Sequence, residues 1–227
     1  MNIVVVSDLH LGSRHCKADS FVRFLDNLPA NATLILNGDT VDYRRRRMNA
    51  EHGAVLDRLI AMSATRRVVW LYGNHDEGYR PRNAGALEFA PDLAIGKRLL
   101  IQHGSYFDKV MPHHRVFIFA FRVMHYLRVR LGAEAVHVAQ YAKKWDRLYR
   151  VVRRSVMLNA IAHAKAHGYE AVTCGHTHYA EDIVVDGIRY INTGSWTELP
   201  VYYLQVDDTR LRLERFEDRA PIPPAAG

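Results

Sequence analysis

The sequence predicts an α/β protein built on a parallel sheet. Two observations carry that expectation. Short apolar runs alternate with helical patterns, and every run ends in a polar cluster. A third observation, hairpin-like patterning after Gly175, adds antiparallel strands at the end.

The runs come in order. Ile3-Val4-Val5-Val6 leads into Ser7-Asp8-Leu9-His10, and Thr33-Leu34-Ile35-Leu36 into Asn37-Gly38-Asp39. Val68-Val69-Trp70-Leu71-Tyr72 leads into Gly73-Asn74-His75-Asp76. Leu99-Leu100-Ile101 leads into Gln102-His103-Gly104, and Ala171-Val172-Thr173-Cys174 into Gly175-His176-Thr177-His178. Runs this short and rich in β-branched residues read as strands buried on both faces. Phe21, Phe24, Leu25 and Leu28 recur at helical spacing, as do Val55, Leu56, Leu59, Ile60 and Met62. Strand, helix, strand, helix, strand is the grammar of a parallel sheet. Ligands in such sheets bind at the carboxyl ends of strands, where all the polar clusters fall.

After Gly175 the strand candidates are Asp182 to Val185, Arg189 to Asn192, Val201 to Val206 and Arg210 to Phe216. Asp186-Gly187 between the first two is a hairpin signal. Residues 220–227 include three prolines and read as a fraying tail.

Residues 105–157 break the strand rhythm and read as helical throughout. They hold eleven Lys or Arg against three acids, a net +8, whereas the whole chain carries +7. The net positive charge therefore sits in this insertion, and it favours an anionic partner.

Composition excludes several classes. Hydrophobic residues at 48% can fill a core, which argues against disorder. Two cysteines, Cys16 and Cys174, form no disulfide framework or thiolate metal site, and they suit a reduced, cytoplasmic setting. Neither a secretory leader nor a long apolar span is visible, so neither is expected.

The strand-end residues Asp8, His10, Asp39, Asn74, His103, His176 and His178 form a mixed carboxylate, imidazole and amide set. Such a set suits two divalent ions, with Mn²⁺ preferred and Fe or Zn²⁺ as alternatives. Two ions close together need a bridging carboxylate, for which Asp39 is the natural candidate. In Asp8-x-His10 and His176-x-His178 an extended backbone would point both side chains to one side. Glycines before Asp39, Asn74 and His176 allow tight turns close to the metals. Each piece alone is ordinary: Asp-x-His is usually a solvated turn, and His-x-His occurs often by chance. The ordered set, each piece after an apolar strand, is not.

That order resembles the signature of the calcineurin-like metallophosphoesterases, over residues 7 to 178. The resemblance implies a β-sandwich flanked by helices over residues 1–219, with 105–157 as a helical cap insertion. It implies that Asp8, His10, Asp39 and His178 hold one metal, and Asp39, Asn74, His103 and His176 the other. It further implies attack by a metal-bridging hydroxide. By the same resemblance His75 would contact the substrate phosphate and protonate the leaving group, with Asp76 as its orienting partner.

A narrower resemblance is to the UDP-2,3-diacylglucosamine diphosphatase group of lipid A biosynthesis. It rests on Ser7-Asp8-Leu9-His10-Leu11-Gly12-Ser13-Arg14, on Cys16-Lys17-Ala18-Asp19, on the basic insertion, and on Asn192 to Glu198. The chain departs from that group at His75, where well-known members carry Arg, and at Ser105, where they carry Asp. The implied substrate is an acylated UDP-glucosamine pyrophosphate.

Within the insertion, Val116, Phe117, Ala120, Met124, Leu127 and Leu131 recur at helical spacing, a face for packing on the body, for an acyl chain or for a membrane surface. Lys143, Arg147, Arg150 and Arg154 form a basic stripe, which is either a solvated face or a site for phosphate or headgroup. Arg44 to Arg47 read as a solvated loop within reach of a phosphate, and Arg80 and Arg82 have a similar claim. The expected partner is an anionic, lipid-linked substrate, with peripheral membrane contact. The alternatives are a nucleotide or nucleic-acid phosphodiesterase and a non-catalytic scaffold.

Overall fold

The computed structural model describes residues 1–42, 48–110, 123, 126–128, 130–131 and 146–218, without the side chains of 146–148. The Arg44–Arg47 run, most of the first helical face of the insertion, Lys143 and the tail from residue 220 lie outside the described residues.

Two mixed sheets make the body. The first carries β1 (Ile3–Val6), β2 (Thr33–Asn37), β3 (Val68–Leu71) and β4 (Glu88–Ala90), all parallel, with β10 (Tyr202–Val206) antiparallel beside β1 and β11 (Leu211–Arg215) outermost. The second runs β5 (Leu93–Ile95), β6 (Leu99–Ile101), β7 (Ala171–Cys174), β9 (Ile188–Asn192), β8 (Glu181–Val185), with β6, β7 and β9 parallel. The expected hairpin at Asp186-Gly187 joins β8 to β9.

Side-chain alternation shows how the sheets stack. Val4, Val6, Leu34, Leu36, Val68 and Trp70 share a core with α1 (Ala18–Asp26) and α2 (Ala50–Met62). Their neighbours Ile3, Val5, Ile35, Val69 and Leu71 instead meet Leu99, Ile101, Ala171 and Ile191 of the second sheet. Leu100, Val172, Cys174 and Tyr190 face outward onto Val156, Ala160, Ile161 and Ala164 of α3 (Asp146–Ala166). The result is four layers, helix, sheet, sheet, helix. Strands buried on both faces lose their polar alternation, which is why the runs read as continuously apolar. Truncating a side chain at this interface, as in Ile35→Ala, should cost about 2–5 kcal/mol.

Two expectations need correction. The segment from Ser105 is not helical throughout: Ser105–Phe107 form a single 3-10 turn, and residues 108–110 are irregular. Nor does the helix stop at Met157. It runs to Ala166 because Ala160, Ile161 and Ala164 continue the apolar stripe, and it ends where Gly168 takes a left-handed φ of 71°. Among the described residues, no helix is long and apolar enough to cross a membrane.

Candidate metal centre

The strand-end loops meet at the carboxyl ends of β1, β2, β3, β6 and β7. Backbone bonds carry the β1–β2 pairing past the strands: Asp8 N donates to Gly38 O (3.0 Å), His10 N to Asp39 O (2.9 Å) and Leu11 N to Thr40 O (2.9 Å). The extended backbone expected for the two i, i+2 pairs is absent. Asp8, His10, Asp39, His176 and His178 all take left-handed φ, between 53° and 62°. Among the described residues only Asp186 is a further non-glycine case. Backbone in this region is uncommon outside glycine and concentrates where surroundings over-determine it. Here it turns paired side chains inward.

Close approach requires glycine beside both buried carboxylates. A Cβ on Gly73 would meet the Asp39 carboxylate, and one on Gly175 would meet that of Asp8. Both loops can lie against buried carboxylates only without a side chain.

Three overlapping groups offer ligand atoms within 4.8 Å of one another: Asp8, His10 and His178; His10, Asp39 and His75; Asp39, His103 and His176. Asp39 belongs to two of them. His103 Nε2 lies 3.3 Å from Asp39 Oδ2, and His178 Nε2 lies 3.0 Å from Asp8 Oδ1. His10 Nε2 lies 3.1 Å from His178 Nε2 and 3.9 Å from Asp39 Oδ2.

The donor set fits divalent cations. His103 Nδ1 donates to Asn37 O (2.9 Å), so once the ring is neutral the lone pair of Nε2 faces the Asp39 carboxylate. That buried Nε2 has no hydrogen-bond partner. His10 Nδ1 donates to Asp42 Oδ1 (2.8 Å), which likewise turns Nε2 toward the cluster. Lone pairs converging on buried carboxylates need a cation or extra protons between them. The clusters therefore fit a dinuclear divalent-metal site.

The acid–base balance without metal follows from the same geometry. Burial raises these carboxyls, but the imidazoles outweigh it. His178, His103 and His10 hold Asp8 well below 3.8; His103, His10 and His75 lower Asp39; His10 and His75 lower Asp42. Burial opposes charge on His10 and His103, yet Asp42, Asp8 and Asp39 push His10 up to about 10, and Asp39 and Asp8 push His103 up to about 9. His178 moves down instead, because burial outweighs Asp8 there and charged His10 repels it. One proton between the two facing nitrogens belongs to His10.

Three carboxylates outside the expected ligand set shape the centre. Asp42 Oδ1 accepts from His10 Nδ1 and from His75 Nδ1, each at 2.8 Å. Asp76, expected as the partner of His75, is instead wholly engaged elsewhere. It accepts from Gly73 N (2.7 Å), Thr40 N (2.8 Å) and Trp70 Nε1 (2.9 Å), and so ties the Asn74–His75 turn to β3 and to the Asp39 loop. Burial and neighbouring Asp39 raise its carboxyl. Asp42 stands in the Gly-Asp-x-x-Asp pattern, the signal that could have found it. The third is Asp108, whose Oδ2 lies 3.0 Å from His176 Nε2. Its only sequence signal is that it is a rare acid in a basic segment.

The substrate-binding candidates are less convergent. Asn74 is exposed on the turn beside His75. Arg80 is exposed, stacks 4.8 Å from the Phe89 ring and donates to Tyr72 Oη (3.2 Å). Arg150 is exposed on α3, while the side chain of Arg147 lies outside the described residues.

The profile of the calcineurin-like phosphoesterase family matches residues 1–180, and the chain belongs to that family. No curated protein matches it. Among solved structures, the chain is similar to YfcE, a phosphoesterase from E. coli, with 17% identity over 92% of this chain and 89% of that one, TM-score 0.46. A novel archaeal phosphodiesterase gives 14% identity over 95% and 100%, TM-score 0.47. Zinc-complexed Vps29 from Entamoeba histolytica gives 16% over 96% and 100%, TM-score 0.45.

Proposed function

We propose that the chain hydrolyses a phosphoester or pyrophosphate bond at a dinuclear centre, in an acylated anionic substrate of the UDP-2,3-diacylglucosamine type. The observation that carries the hydrolytic reading is the Asp39 carboxylate, shared by two His/Asp groups, beside a histidine clamped by Asp42. Asp8, His10, Asp39 and His178 would hold one ion; Asp39, Asn74, His103 and His176 the other. Mn²⁺ suits this ligand set, with Fe or Zn²⁺ as alternatives. The bound ions would acidify water and neutralise phosphate charge.

The chain's own groups supply the rest. His75 Nδ1 donates a hydrogen bond to Asp42 Oδ1 (2.8 Å), so its Nε2 faces the centre, 3.9 Å from Asp39 Oδ2. Asp42 stabilises the imidazolium that donates the Nε2 proton to the departing oxygen. Asn74, exposed on the same turn, would meet a phosphate oxygen. The basic insertion supports the acylated, anionic substrate and contact with a membrane surface; Arg80, Arg147 and Arg150 are its candidate contacts.

Purified protein should carry two ions per chain and cleave both a small chromogenic phosphodiester and a UDP-diacylglucosamine-type pyrophosphate, the latter with the higher kcat/KM. Cleavage of the chromogenic ester alone would remove the lipid part of the reading. A preference for cyclic nucleotides or single-stranded nucleic acid would replace it with a nucleotide-directed phosphodiesterase. No hydrolysis by the metal-loaded protein would leave a scaffold.

A further inference from the structure

Asp108 is acidic and almost wholly buried, in a segment that is otherwise strongly basic. Its Oδ2 lies 3.0 Å from His176 Nε2, and its Oδ1 accepts from Val110 N at 2.9 Å. The bond to Nε2 leaves Nδ1 as the nitrogen with which His176 can reach a cation beside Asp39 and His103. Carboxylates that hold a ligand histidine this way fix its tautomer and rotation and raise its basicity.

What holds Asp108 is as informative as what it touches. The preceding 3-10 turn starts at Gly104, directly after His103, and Phe107 sinks into the core beneath α3. Asn159 of α3 donates from Nδ2 to the Phe107 carbonyl at 2.9 Å. A second strut runs from α3 to the same ligand loop: Tyr149 Oη donates to Thr177 O at 2.7 Å, between His176 and His178. Arg153 of α3 binds Glu181 with both arms and stacks 3.7 Å from the ring of Tyr179, which follows His178.

We propose that Asp108 is a positioning residue for His176, and that α3 braces it through the Asn159–Phe107 contact, so that affinity for the ion on the Asp39–His103–His176 side depends on how α3 is seated. The inference rests on the dinuclear reading above and deepens it. The helix that leaves the basic insertion thereby sets one metal's affinity without supplying a ligand. Loss of the Asn159–Phe107 contact changes the loading of one ion and spares the other.

The test is calorimetric titration of the metal-free full chain with Mn²⁺ alone, resolved into two binding steps, beside thermal unfolding of the same metal-free proteins. Asp108→Ala should weaken one step about 10–100-fold and leave the other. Asp108→Asn keeps an acceptor oxygen and should recover part of the loss. Asn159→Ala, remote from the ions, should weaken the same step by less. Asp182→Asn, a surface acid paired with Arg189, should change neither. Two unchanged steps in Asp108→Ala overturn the inference and leave the dinuclear reading intact. Equal weakening of both steps, with a matching fall in metal-free stability, makes Asp108 a fold residue and also overturns it. A wild-type chain that binds no Mn²⁺ overturns the dinuclear reading, and this inference with it.

Discussion

The two sheets bring opposite chemistry to one centre. The first contributes carboxylates: Asp8, Asp39, Asp42 and Asp76, with His10 and His75 pinned to Asp42. The second contributes imidazoles, His103, His176 and His178, with Asp108 behind one of them. The two sides are also held differently. The acidic side is fixed by backbone, through the continued β1–β2 ladder and the three donors on Asp76. The imidazole side leans on side chains from the 3-10 turn and α3. One wall is thus tied mainly through backbone, and the other adds side-chain contacts from α3.

The largest effect should come from the residue both sides share. Asp39→Ala removes the carboxylate that faces His10, His75 and His103. Elemental analysis should show loss of most bound metal, with hydrolysis abolished. Two ions retained per chain would show that the walls bind metal independently. Next comes His75, the proton donor proposed for the acidic wall. His75→Ala should lower kcat by about 10²–10⁴ with both ions kept. The loss should shrink for a nitrophenolate leaving group, which departs without a proton. Equal losses for good and poor leaving groups would remove His75 from that role.

Acidity tests the opposition directly. In the metal-free protein His10 and His103 are raised to about 10 and about 9 by facing carboxylates. Raised histidines stabilise the fold fully below their unfolded value of about 6.5, and that contribution is lost as pH rises through 9 and 10. Metal-free protein should therefore lose stability over that window. Metal must displace the same protons, so affinity should rise with pH up to about 10, by about tenfold per unit for each proton released. Calorimetry in buffers of different ionisation enthalpy counts the protons. Affinity that is flat between pH 6 and pH 9 would mean the histidines are already neutral.

How much of this the residues announced also divides by wall. Every strand that delivers a candidate ligand was legible, because each candidate follows an apolar run. The division of those runs between two sheets was not: strands buried on both faces carry no alternation that says which neighbour they meet. Asp76 beside His75 suggested a partner that the turn does not make, since its oxygens are consumed by Gly73, Thr40 and Trp70. Asp42, far off in sequence, takes the ring instead. β4 and β5, three residues each, were too short to separate from loop. Asp108 was hidden because its partner, His176, lies across the chain, and spacing says nothing of such a contact.

The smallest effect concerns the brace on the imidazole wall. Tyr149 is half-buried, and its hydroxyl donates to the buried Thr177 carbonyl. Tyr149→Phe keeps the ring and its 6.3 Å contact with Tyr179 but removes the donor. A carbonyl that cannot turn to water then loses its partner, at a cost of about 1 kcal/mol, or about 2–4 °C in thermal midpoint for a chain this size. The first sheet supplies the contrast, at the end away from the centre. Arg67 pairs with Glu88 through two bonds, but both are exposed, and Arg67→Ala should fall within about 0.5 kcal/mol of wild type because water screens the pair. If Tyr149→Phe is as silent as Arg67→Ala, α3 rests on the ligand loop without holding it, and the side-chain-braced wall is no more dependent on its helix than the backbone-braced one.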